Sequence, residues 1–220
     1  MAKIALYGAT GMIGQRILRE ALSRGHQVTA IVRNVAKLPT DTPGLTPKPG
    51  DVLKPESVAV AIKGNEVVVS SYGPGSGDPK DALVAVRSLM EGVAAAKETS
   101  GKPIRLIIVG GAASLEVSPG VALLDTPNFP AAWKPVASIY RDVLGILRSE
   151  GAKAGLEWTY FSPAAFIQPG ERTGKFRLGT DQLVVDSKGE SRISCEDYAI
   201  ALVDEIEKPQ FVGRRFTAAY

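Results

Sequence analysis

At 220 residues, with 45% hydrophobic and 22% charged residues, the chain has the composition of a globular protein with a large core, and one α/β domain is the simplest count. A formal charge of +3 without a basic run argues against nucleic acid or a membrane surface as partner. One cysteine, Cys195, excludes an intramolecular disulfide, and one histidine, His26, leaves a transition metal almost no ligands. No stretch approaches the ~20 apolar residues of a membrane span, and Lys3 interrupts the N-terminal apolar run where a signal peptide would continue. These features point to the cytoplasm. His26 follows Gly25 and reads as a surface residue in a turn; Arg214-Arg215 reads as a solvated strand flank.

Residues 2–6 form a short apolar run, the pattern of a buried strand. A helix follows over 12–24, with Ile13, Ile17, Leu18, Ala21 and Leu22 on one face and Gly25 as its stop. Residues 26–32 read as strand two and 35–38 as a turn of helix. The proline-rich stretch 40–49 reads as loop, with a short third strand near 45–49 ending at Gly50-Asp51. Pro55 opens a helix to 63, and 66–71 is a β-branched strand. Residues 72–77 are a glycine-rich loop. Asp78 and Pro79 suit the cap and first position of a helix reaching about 99, where Gly101 stops it. Residues 104–109 are the most apolar strand.

Residues 112–134 show no clear period and read as a long loop that covers a substrate. An amphipathic helix over 135–150 and a strand over 157–162 follow. Residues 170–179 read as loop and 182–185 as a short strand. Ser194 and Asp197 resemble a capping box opening the last helix, and 215–219 reads as the closing strand. Strands and helices alternate, which predicts a doubly wound, mostly parallel sheet with helices on both faces. The whole of 1–220 reads as a single such domain, with 164–220 on the substrate side.

Gly8, Gly11 and Gly14 stand at the strand-to-helix turn of this pattern, in Gly8-Ala9-Thr10-Gly11-Met12-Ile13-Gly14. Gly8 permits the turn, Gly11 lets a pyrophosphate approach the backbone, and Gly14 lets helix and strand pack closely. The helix amino end favours an anion. The reading is a Rossmann fold that binds a dinucleotide. An acid about 20 residues further on would hold the ribose of NAD(H). Here strand two ends in Arg33-Asn34, with Lys37 beyond, which suits the 2′-phosphate of NADP(H) over NAD(H). Asp51 and Val52 follow strand three; Asp51 suits either the adenine amino group or the cap of the next helix.

These segments, with Val32-Arg33, Gly50-Asp51-Val52, Trp158-Thr159-Tyr160-Phe161-Ser162-Pro163 and 194–201, resemble the atypical short-chain dehydrogenase/reductase group nearly end to end. Within it the likeness is to NmrA-like NAD(P)-binding proteins of the NADH-flavin reductase kind, related to flavin (biliverdin) reductase. Gln168-Pro169-Gly170-Glu171-Arg172-Thr173-Gly174 is the most specific shared stretch. The chain departs from classical short-chain dehydrogenases at the Tyr-x-x-x-Lys pair: after Tyr140, Leu144 stands where lysine belongs. Nothing then lowers the tyrosine pKa toward neutrality, which counts against alcohol–ketone chemistry and sits better with a flavin that takes hydride directly.

Thr10 to Ile13 suit the phosphates; Ser71, Tyr72 and Gly73 end strand four at the crevice where the sheet order reverses, or simply terminate the strand, and Gly110 ends strand five; the resemblance implies that Pro163, Ala164 and Phe166, after strand six, wall the nicotinamide. Ser114 and Tyr140 are the candidates for touching substrate, although serine is common in loops and Tyr140 has the apolar period of its helix. Phe129 and Trp133 either stack on a flat substrate or pin the loop. The expected activity is NADPH-dependent hydride transfer to FMN, another flavin or a planar acceptor such as a quinone, by a monomer or homodimer. The alternatives are a non-enzymatic NADP(H)-binding redox regulator and, third, an epimerase or isomerase.

Overall fold

The structure, a computed structural model, describes residues 1–39, 41–73 and 75–220. Thr40 and Pro74, which fall in two of the expected loops, lie outside the described residues. The elements are β1 (Lys3–Tyr7), α1 (Gly14–Ser23), β2 (Gln27–Val32), β3 (Leu45–Pro49), α2 (Pro55–Ala61), β4 (Val67–Ser70), α3 (Asp81–Ser100), β5 (Arg105–Val109), β6 (Glu116–Ser118) and β7 (Val121–Ala122). After these come α4 (Lys134–Ile146), β8 (Glu157–Ser162), β9 (Phe166–Gln168), β10 (Arg177–Gly179), β11 (Arg192–Ser194), α5 (Cys195–Glu207) and β12 (Arg214–Ala219).

Eight strands form one sheet in the order β10-β12-β8-β5-β4-β1-β2-β3. All pairings are parallel except β10 with β12. β4 is buried along its whole length, as its valine run requires of a central strand. One face of the sheet packs on α1 and α5 through Ile17, Leu18, Ala21, Leu202 and Phe216. The other packs on α2, α3 and α4 through Val58, Leu89, Val93, Leu144 and Leu147. Each fully buried Val, Leu, Ile or Phe among them contributes about 1.5–3 kcal/mol. The chain passes from the edge strand β3 back to β4 beside β1, so the order reverses at the carboxyl ends of β1 and β4. Ligands of doubly wound sheets bind at such a reversal. Among the described residues no helix is long and apolar enough to cross a membrane.

Several expectations are corrected. α3 begins at Asp81, because Asp78 uses its carboxylate to close a turn on the Lys80 amide (2.9 Å). Residues 112–134 contain the β6–β7 hairpin and two short 3-10 turns, Leu123–Asp125 and Ala131–Trp133. The stretch expected as loop over 170–179 ends in β10, paired with β12, while 182–185 forms no strand and makes one bridge, Gln182 to Glu116. His26 is only 3% exposed: its Nδ1 accepts from the Ala2 amide (3.0 Å), leaving Nε2 to donate to Glu207 (2.9 Å). Arg215 is also 3% exposed, so only Arg214 is a surface residue of that pair. Both errors have one cause. A buried polar residue needs a partner distant in sequence, and spacing does not show it.

Candidate functional site

The turn after β1 is as tight as the backbone allows. Gly8 has φ +77°, and a Cβ there would lie 2.3 Å from the Ser71 carbonyl oxygen. A Cβ on Gly14 would lie 2.0 Å from the Gly8 carbonyl oxygen. The Gly11 amide donates to that same carbonyl (2.9 Å) and closes the turn. Among the described residues α1 has neither a capping side chain nor an acid in its first turn. Its positive end therefore remains open toward a ligand. Arg16 donates to the Met12 carbonyl (3.0 Å) and pairs with Glu196 (2.9 Å), which ties the turn to α5.

A groove of about 470 Å³ lies over this turn. Thr10, Gly11, Met12 and Ile13 form one wall, and Ser71, Tyr72, Gly73 and Gly110 form the other. Gly14 stands behind the first wall as a packing residue. Arg33, Asn34 and Lys37 line one end, where Asn34 accepts from the Ala36 amide (3.0 Å) and shapes the turn carrying Lys37. Asp51 and Val52 line the groove as well. One Asp51 oxygen accepts from the Leu53 amide (3.0 Å), so the carboxylate caps the turn ahead of α2 and still faces the groove. Tyr7 was not among the expected residues. It is 2% exposed, lines the groove, and its hydroxyl has no partner among the described residues. Burial and then the Asp51 charge push its pKa up. An orphaned buried hydroxyl, a glycine cradle and a free helix end fit a bound dinucleotide.

A second, mostly apolar cavity of about 630 Å³ adjoins the groove. The 112–134 segment forms much of its wall, with Ser114, Leu123, Phe129 and Trp133, opposite Tyr140 and Phe166. Trp133 is 58% exposed, so it stands at the rim and does not pin the loop to the core. Tyr140 lines both cavities, and the consecutive Gly110 and Gly111 line one each. Pro163 and Ala164 do not face this junction. Both are buried beneath it, Ala164 within the core, while Ala165 and Phe166 form the wall.

Burial, and next the neighbouring Tyr72, raises the Tyr140 pKa. Leu144 is buried in the core on the same helix, and among the described residues no ammonium opposes the shift. Tyr140 therefore remains a neutral phenol at ordinary pH. Two long-range braces hold the junction, and neither was visible in the sequence. The Tyr160 hydroxyl donates to the Tyr140 carbonyl (2.9 Å) and accepts from the Gly111 amide (3.0 Å). A Cβ on Gly110 would sit 2.0 Å from the Tyr160 ring, which explains that glycine. Arg215 donates to the Ser114 carbonyl (2.9 Å) and hydroxyl (3.0 Å).

The stretch 168–174 lies away from both cavities. Arg172 grips Glu20 of α1 through two hydrogen bonds (2.8 and 2.9 Å). The Thr173 and Gly174 amides bind Asp197 (both 2.8 Å). Tyr220 completes the cap of α5, donating to Asp197 and accepting from the Ser194 amide. The most family-specific stretch is thus a structural clamp between α1 and α5.

The model of an NAD(P)H-binding protein family matches residues 8–209. The solved structure of a provisionally named exported protein from Burkholderia pseudomallei is 49% identical, with full coverage of both chains and a TM-score of 0.88. A provisionally named epimerase from Bacteroides thetaiotaomicron is 37% identical, covering 100% of this chain and 97% of its own, with a TM-score of 0.88. A provisionally named NADH-flavin reductase from Streptococcus pneumoniae is 34% identical over 100% of this chain and 99% of its own, with a TM-score of 0.85.

Proposed function

This chain belongs to the NAD(P)H-binding family, and we propose that it is an NADPH-dependent reductase acting on a planar acceptor, a flavin such as FMN or a quinone. One observation carries the reading: a groove with a cationic end, Arg33 and Lys37, meets an apolar cavity at Tyr140 and Gly110-Gly111. NADPH, when bound, supplies a hydride, which carries both electrons of the reduction. The chain's own residues bind, align and exclude water. Thr10 to Ile13 take the pyrophosphate, and Arg33 with Lys37 takes the 2′-phosphate. Tyr7 and Asp51 face the adenosine end, and Ser71 to Gly73 with Gly110 line the path toward the second cavity. Phe129, Trp133 and Phe166 offer apolar ring faces to a flat acceptor. Holding two rings in register accounts for most of the catalysis such a transfer needs. Tyr140 walls the junction and does not act as a base.

The name of the Streptococcus relative supports the flavin as acceptor. An epimerase, the name of the Bacteroides relative, fits less well, because Leu144 leaves Tyr140 without the lysine partner that proton chemistry would use. The same leucine favours one second reading, a non-enzymatic NADP(H) sensor. An NADPH-consuming role would place the protein in the cytoplasm, where that pool is kept reduced. The test is steady-state oxidation of NADPH with FMN, FAD, riboflavin and a quinone, run beside NADH. Saturable turnover with NADPH preferred is expected. NADPH binding without turnover on any acceptor selects the sensor.

A further inference from the structure

We infer that Arg215 is a positioning residue of the acceptor cavity, fixing Ser114 so that its hydroxyl proton points inward as a directed donor for a ring carbonyl or ring nitrogen. The inference rests on the reductase reading and deepens it.

Arg215 lies on β12, and every guanidinium nitrogen is engaged. Nε donates to Asp181 (2.9 Å), Nη2 to the Asp181 carboxylate (2.6 Å) and carbonyl (3.1 Å), and Nη1 to both oxygens of Ser114. A guanidinium has no acceptor, so the Ser114 hydroxyl must accept from it. The serine's one hydrogen is then left over. It has no acceptor among the described residues, and Ser114 lines the apolar cavity. Burial alone would raise the Asp181 pKa; the charge and hydrogen bonds of Arg215, and then of Arg148 (2.6 Å), prevail and hold it below the usual carboxylate range, so the Arg215 pair is ionised.

The brace is part of the sheet. Arg215 and Tyr160 are cross-strand neighbours on β12 and β8. Tyr160 holds Gly111 and Arg215 holds Ser114, so both ends of the four-residue wall 111–114 are tied to adjacent strands. The serine dipole is therefore oriented before any ligand arrives. As hydride adds to the acceptor ring, negative charge grows on a conjugated oxygen or nitrogen, and the Ser114 O–H bonds to that atom. The proton that completes the reduction comes from water, and Ser114 remains a hydroxyl.

The experiment is a mutant cycle of Ser114→Ala, Arg215→Lys and the double variant, with Asp181→Asn beside them. It measures turnover of NADPH with FMN, FMN affinity by quenching of Trp133 in the presence of NADP+, and NADPH affinity by titration. Ser114→Ala and Arg215→Lys are each expected to lower kcat/KM for FMN about tenfold and to weaken FMN binding. The double variant should be no worse than Ser114→Ala, with NADPH affinity unchanged throughout. Asp181→Asn, at the half-exposed anchor, should give a smaller loss that also vanishes in the Ser114→Ala background. If Arg215→Lys does not fold, Asp181→Asn carries the cycle. Wild-type FMN kinetics in the Arg215 or Asp181 variant, losses that multiply in the double variant, or a parallel fall in NADPH affinity would each overturn the inference and leave the reductase standing. A wild-type protein that neither binds nor reduces any flavin or quinone overturns both.

Discussion

The two cavities are built by different means. The nucleotide groove is made from short stretches, 8–13, 33–37, 50–53 and 71–73, each positioned by its own backbone. Its defining contacts are steric: glycines where a Cβ would strike a carbonyl. The apolar cavity is made from segments spread over 111–166, and side chains distant in sequence fix its wall. Arg215 reaches 101 residues back to Ser114, and Tyr160 reaches 49 back to Gly111. A site of the first kind tolerates almost no change at a few glycines. A site of the second kind can change its ligand by exchanging rim residues such as Phe129, Trp133 and Phe166, which the braces do not touch.

Substitutions can break or sharpen that contrast. The largest effect is expected from Gly14→Ala, whose methyl would meet the Gly8 carbonyl. NADPH affinity should fall about 100-fold or more, about 2.7 kcal/mol, in fluorescence titration. Arg33→Ala should lower NADPH affinity about tenfold and leave NADH affinity nearly unchanged; equal losses for both would remove the guanidinium from the 2′-phosphate. Arg172→Ala tests the clamp. It should cost about 1–2 kcal/mol, a fall of roughly 2–8 °C in Tm, with cofactor affinity intact. The hydrogen bonds from Arg172, foremost, hold Glu20 below its usual pKa. A depressed carboxylate stabilises above its unfolded value of about 4.3, and the benefit is lost as pH falls through the folded value. The wild type and Arg172→Ala should therefore converge in acid. Tyr140→Phe should have the smallest effect, under about threefold in kcat. Burial keeps this tyrosine protonated above its ordinary pKa of about 10, so the pH profile between about 6 and 9 should not move.

The same contrast explains what the sequence could convey. β3 (Leu45–Pro49) and β8 (Glu157–Ser162) appear at the expected residues, and the glycine turn, Arg33 and Asp51 share one groove. Those features follow from periodicity, prolines and spacing, which act over a few residues. Arg215, Tyr160 and His26 do not follow from them. Each is polar, buried and satisfied only by a residue that the fold brings near, and in a sequence each resembles surface or core filler. Tyr7 was hidden the same way, at the end of an apolar strand. The clamp role of the 168–174 stretch was not legible either, because its partners Glu20 and Asp197 lie far away in sequence.

The most direct test of the two-cavity account is a crystal structure of the protein with NADP+ and FMN. The 2′-phosphate is expected on Arg33 and Lys37, the nicotinamide beside Gly110 and Tyr140, and the flavin ring between Phe129, Trp133 and Phe166 with a ring heteroatom on Ser114. A flavin bound elsewhere, or an adenosine end in the apolar cavity, would contradict it.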